Sequence, residues 1–153
     1  MPIGKENRLK GEPGMLEVRY VDNSDAPFWF RLDQHLSEAE FCDKVRTKRG
    51  YVVLHNEMSI GLLRYNLFWD NTPFCNLLII DREYQRRGCG KHLLKYWESD
   101  MKEQGYGMLL TSTRVDETAQ HFYRKQGYQD CGGLIFDVPK YAQPMELFFI
   151  KLI

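Results

Sequence analysis

The stretch Gln85-Arg86-Arg87-Gly88-Cys89-Gly90-Lys91 constrains this chain more than any other, because of what flanks it. Upstream, Phe74-Cys75-Asn76-Leu77-Leu78-Ile79-Ile80 is a short, bounded apolar run that reads as a largely buried strand. Downstream, Leu93, Leu94, Trp97 and Met101 fall on one face of an amphipathic helix, with Gly105 placed as its C-terminal stop. A glycine-containing turn that opens a helix aims several backbone N–H groups at one point, and the helix dipole adds positive potential there. Arg86, Arg87 and Lys91 add three cations to that point. The combination suits a phosphate or diphosphate, and Gly88 and Gly90 leave room for it to approach the main chain.

What the turn lacks narrows the ligand. A dinucleotide fingerprint requires a third glycine where the chain has Leu93, and a phosphate-binding P-loop requires glycine at Gln85 and Ser or Thr at His92. Gln-x-x-Gly-x-Gly remains. Acidic and basic residues balance at 21 each, so no global field favours nucleic acid or an anionic membrane. No apolar run reaches membrane-spanning length. Cys42, Cys75, Cys89 and Cys131 are widely spaced, which fits reduced thiols in a cytoplasmic protein better than a disulfide framework or a zinc site. His35, His55, His92 and His121 have no metal-ligand spacing either, and no metal is expected.

The chain is expected to divide into a tail or leader over residues 1–14, rich in Gly, Pro and charge, and one domain over residues 15–153. Leu16-Glu17-Val18-Arg19-Tyr20-Val21 alternates as a first strand. Asn23, Ser24 or Asp25 can cap a helix with Pro27 in its first turn, and Ser37-Glu38-Ala39-Glu40 is a capping box for a second helix running to Arg49. Two strands joined by a turn at Asn56-Glu57 precede the apolar strand. After the long helix come a strand at Met108-Leu109-Leu110-Thr111-Ser112-Thr113 and a helix capped by Asp116 and stopped by Gly127. Two closing strands complete the chain, at residues 128–132 and 145–152.

That last helix carries Glu117-Thr118-Ala119-Gln120-His121-Phe122-Tyr123-Arg124-Lys125-Gln126-Gly127-Tyr128. Its x-x-Ala-x-x-Phe-Tyr-x-x-x-Gly-aromatic pattern, the Gln-x-x-Gly-x-Gly turn and the order β-α-α-β-β-β-α-β-α-β-β together resemble the GNAT superfamily of N-acyltransferases. The ending, from Gly132-Gly133-Leu134 through Pro144-Met145-Glu146-Leu147 to Lys151, resembles a bacterial group of small acetyltransferases. The resemblance implies an α/β (α+β) GNAT fold, with a central mixed sheet of about six to seven strands, splayed between the fourth and fifth, and about four flanking helices.

It also implies a site. Backbone groups of Leu78, Ile79 and Ile80 would pair with the pantetheine arm of acetyl-CoA, and an N–H near Ile80 would polarise the thioester. Gln85, Arg86, Arg87, Gly88, Cys89, Gly90 and Lys91 would hold its diphosphate. Tyr123 matches the family tyrosine that donates a proton to the leaving thiolate. Family members often carry a basic Glu or His on the fourth strand, where this chain has Phe74 and Asn76, neither of which accepts a proton at neutral pH. Asp70, Glu57 and Glu146 are unranked substitutes. Asn76, Trp29 and Trp69 are candidates for the acceptor pocket, with core packing or a homodimer contact as the competing use of the aromatics.

The function implied is transfer of an acetyl group from acetyl-CoA to a primary amine, of a small molecule in the first instance, by direct attack in a ternary complex. A peptide N-terminus or lysine is the alternative acceptor. A non-catalytic acyl-CoA-binding module is the alternative of a different class, kept open by Phe74 and Asn76.

Overall fold

The computed structural model describes Asn7–Arg8 and residues 15–153. The expected tail at residues 1–14 therefore lies outside the described residues, apart from Asn7–Arg8, a two-residue strand that pairs antiparallel with Met15 and Leu16. The main strands are β1 (Met15–Tyr20), β2 (Gly50–His55), β3 (Met58–Phe68), β4 (Thr72–Ile80), β5 (Met108–Arg114), β6 (Gln129–Phe136) and β7 (Gln143–Leu152). The helices are α1 (Ala26–Leu32), α2 (Glu38–Thr47), α3 (Cys89–Glu103) and α4 (Ala119–Lys125). In space the strands follow the order β1-β2-β3-β4-β5-β7-β6 after the short leading strand. The sheet is mixed: β4 and β5 run parallel through the rungs Phe74↔Leu110 and Cys75↔Thr111, and β4 continues through residues 76–80 past that ladder. This is the architecture the resemblance implies.

Local chemistry explains most element ends. Asn56 and Glu57 both adopt positive φ (48° and 66°), the backbone that a tight β2–β3 hairpin demands. Ser37 Oγ accepts from the Glu40 N–H, as its motif predicts, but α2 stops at Lys48 in the left-handed region rather than running to Arg49. The earlier stop frees Gly50 to open β2. Asp25, one of the three expected caps, stands at the N-cap of α1, but its side chain makes no cap bond to that helix and accepts from Arg19 at 2.7 and 2.8 Å, while Asp22 caps the leading 3-10 turn.

The described residues form two compact units, those up to Tyr65 with Leu77–Trp97, and Asn66–Asn76 with Glu98–Ile153. In the first, Val21, Trp29, Phe41, Val52, Leu54 and Leu62 make one buried cluster. Trp29 meets Phe41 edge-on at 5.5 Å, and its indole N–H donates to Asp33 Oδ2 at 3.2 Å. The same carboxylate, fully buried, accepts from Arg64 Nε at 2.7 Å, which offsets its desolvation. Gly61 is required for space, since a Cβ there would lie 2.5 Å from Ile80 Cδ1 and 2.9 Å from the Ile79 carbonyl.

In the second unit the two sheet faces differ. Thr111, Thr113, Phe149 and Lys151 share the face covered by helices: Tyr123 of α4 stacks on Phe149 at 6.3 Å, and Lys151 Nζ bonds Glu98 of α3 at 2.6 Å. The opposite face carries Phe74, Asn76, Ser112, Glu146 and Phe148, as the β4–β5 and β5–β7 registers require.

Candidate functional site

The glycine turn is built from both of its flanks. β4 ends at Ile80, Asp81 N–H donates to Ile60 O at 2.7 Å, and a 3-10 turn at Arg82–Tyr84 carries the chain to Gln85. Arg86 (φ 62°) and Gly88 (φ 82°) both take positive φ, the backbone in which anion-binding turns are commonly built. Helix α3 then starts at Cys89, and its first bond runs from His92 N–H to Gly88 O at 3.0 Å. Arg86, Arg87, Gly88 and Lys91 are solvent-exposed, and the Arg87 guanidinium lies 5.6 Å from the Tyr84 ring centroid. Cys89 is buried in the turn, and burial lowers the His92 pKa from its ordinary value. The turn opens the N-terminus of a long helix, where free backbone N–H groups favour an anion.

The Gln85 side-chain amide donates to Ile80 O at 2.9 Å, tying the end of β4 to the start of the turn. The spacing of Gln85 from Ile80 contained no signal for this bond, which depends on how the 3-10 turn folds back. Leu78 and Ile79 are half-buried and Ile80 is buried at the end of the strand.

The second unit holds the tyrosine. Tyr123 is 6% exposed, and its phenol reaches the side chains of Thr111 and Cys75, the residues of the last β4–β5 rung. Thr111 Oγ1 in turn donates to Cys75 O at 3.0 Å. Burial raises the Tyr123 pKa well above its ordinary value, so the phenol is neutral throughout the physiological range. The partners Thr111 and Cys75 were not legible in the sequence, because the parallel register alone brings them together.

The remaining candidates separate cleanly. Trp29 cannot line an acceptor pocket: it is 0% exposed and its N–H is committed to Asp33, so packing against Phe41 decides its place. Trp69 is exposed at the β3–β4 turn, 4.5 Å from the Phe68 ring, and Asn76 is exposed on β4. Phe68, Phe74 and Phe148 continue that aromatic row at 5.8 and 5.9 Å. Asp116 does not cap α4, whose N-cap is Thr118 with no side-chain bond, because Arg114 holds the Asp116 carboxylate at 2.7 and 3.1 Å. Glu57 and Asp70 are exposed turn residues, whereas Glu146 is half-buried and accepts from Ser112 Oγ at 2.8 Å.

A parallel strand, a glycine turn and the helix it opens, followed by a buried tyrosine on a later helix, are the elements the resemblance to acyltransferases called for. Residues 18–128 match the acetyltransferase (GNAT) family, and the chain belongs to that family. A 55-residue stretch, 35% of this chain, is 36% identical to a probable N-acetyltransferase 14 of Xenopus tropicalis and spans 27% of that protein. The ribosomal-protein-S18-alanine N-acetyltransferase of Escherichia coli superposes with a TM-score of 0.76 at 18% identity, covering 91% of this chain and 94% of that one. The N-acetylglutamate synthase of Neisseria gonorrhoeae, complexed with coenzyme A and N-acetyl-glutamate, gives 0.73 at 12% identity over 92% of this chain and 36% of that one.

Proposed function

We propose that the protein transfers the acetyl group of acetyl-CoA to a primary amine of a small molecule by direct attack in a ternary complex. The observation that carries this is the Gln85-to-Lys91 turn, with left-handed Arg86 and Gly88 opening a 15-residue helix, in a chain of this family. In this reading the main-chain amides from Arg87 to Lys91 bind the diphosphate, and Arg86, Arg87 and Lys91 supply countercharge. Backbone groups of Leu78, Ile79 and Ile80 bond the pantetheine amides, and an N–H near Ile80 faces the oxygen that becomes negative. The neutral amine nitrogen forms its bond to the carbonyl carbon, the carbon–sulfur bond breaks, and Tyr123 delivers a proton to the departing sulfur while the nitrogen gives up one in its place.

Calorimetric titration with CoA and a thiol-release assay over a panel of amines test the proposal. Heat on CoA addition, together with thiol released on a small amine, is the expected result. Absence of heat overturns it. Binding without turnover on any amine points to an acyl-CoA-binding module, and turnover confined to peptides points to an N-terminal or lysine acceptor.

A further inference from the structure

The face of the second unit opposite Tyr123 contains a carboxylate that the family resemblance does not use. Ser112 on β5 pairs with Phe148 on β7, and Glu146, two residues from Phe148, lies on the same side. Phe74 pairs with Leu110 across the parallel rung, which places Asn76 on this side too. Glu146 Oε1 accepts the Ser112 hydroxyl at 2.8 Å, and no ion pair engages the carboxylate among the described residues. The charged group facing it is Arg114, its register partner on β5, whose guanidinium turns instead to Asp116 at 2.7 Å and Glu117 at 3.7 Å. Leu134 faces Glu146 from β6.

This is a half-buried acceptor fixed by one hydrogen bond, at the end of the aromatic row Trp69, Phe68, Phe74 and Phe148. The helix-bound face of the same strands carries Tyr123, so the two groups reach the strands from opposite sides. We infer that Glu146 is the general base, and that the acceptor is a primary ammonium carried on an apolar or aromatic body. The inference rests on the acetyl-transfer reading above and deepens it.

The step balances. The acceptor ammonium gives one proton to Glu146 and becomes the neutral amine, which attacks the thioester carbonyl carbon. The proton left on nitrogen after attack replaces the one Tyr123 gives to sulfur, and Glu146 releases its own proton to solvent. Amide and free thiol are the products.

Phenethylamine and a tetrapeptide with a free α-amine are the probes. Glu146→Gln keeps an oxygen for Ser112, and its melting curve and CoA titration should match wild type. Its kcat/KM for phenethylamine should fall by about 10²-fold at pH 7 and recover towards pH 10, where the alkylamine deprotonates unaided. The tetrapeptide, with an α-amine pKa of about 8, should lose less. Equal rates at pH 7, or one constant factor at every pH, overturns the assignment. Glu146→Asp, which keeps a carboxylate, should retain the wild-type pH profile at reduced rate, and it serves alone if the Gln variant does not fold. A profile altered in Glu146→Asp also overturns the assignment. If wild type releases no thiol with any amine, the acetyl-transfer reading falls and this inference with it; turnover in wild type with an indifferent Glu146 removes the inference alone.

Discussion

Tyr123 and Gln85 are each held by neighbours that their own positions in the sequence do not announce. The Tyr123 phenol meets Thr111 and Cys75, and burial raises its pKa. Tyr123→Phe removes one hydroxyl and little volume, so stability should stay within about 1 kcal/mol. Its kcat for thiol release should drop by about 10²-fold with CoA affinity unchanged. An unaltered kcat would take the acid role from this residue. Gln85→Ala cuts the bond to Ile80 O. A loss of about 1 kcal/mol in ordering the turn corresponds to roughly 5-fold weaker CoA binding, readable by calorimetry with scarcely any shift in melting. The motif implied Gln85 as a diphosphate contact; only the folded turn shows that its amide bonds the strand before it.

At the scale of elements, β3 and β4 lie close because Gly61 offers no side chain. Gly61→Ala must push Ile80 Cδ1, the Ile79 carbonyl and Val53 Cγ1, contacts of 2.5, 2.9 and 3.0 Å to the new Cβ. Backbone cannot yield as a side-chain tip can, so the variant should lose about 1–3 kcal/mol in a urea melt. An unchanged midpoint would mean that the strand end is soft. Hairpin and helix ends were legible where they rest on local chemistry, as at Ser37, Asn56-Glu57 and Gly105. Side-chain partners are less legible: Arg114, two residues away, holds the Asp116 carboxylate while Thr118 takes the N-cap of α4, and Asp25 stands at the N-cap of α1 with its oxygens on Arg19.

Across the molecule, burial of phenols couples stability to alkali. Tyr123 and Tyr128 both have pKa values raised by burial, so the unfolded chain loses these protons at about pH 10 while the folded chain retains them. Their contribution is complete below that pH and is lost as pH rises through the folded values. The urea midpoint should therefore fall steadily above about pH 10. The Tyr128 hydroxyl is buried without a hydrogen-bond partner among the described residues. Tyr128→Phe should be neutral or stabilising at pH 7 and should flatten the alkaline decline; a steep loss at pH 7 would reveal a partner. By itself the sequence determined the element order, the glycine turn and the tyrosine helix, because periodicity and glycine placement act within a few residues of chain. Tertiary structure alone decided that Trp29 is sealed in a core, that Thr111 and Cys75 meet Tyr123, and that Ser112 holds Glu146. Strand register sets which distant residues share a face, and register is fixed by the packing of the whole sheet.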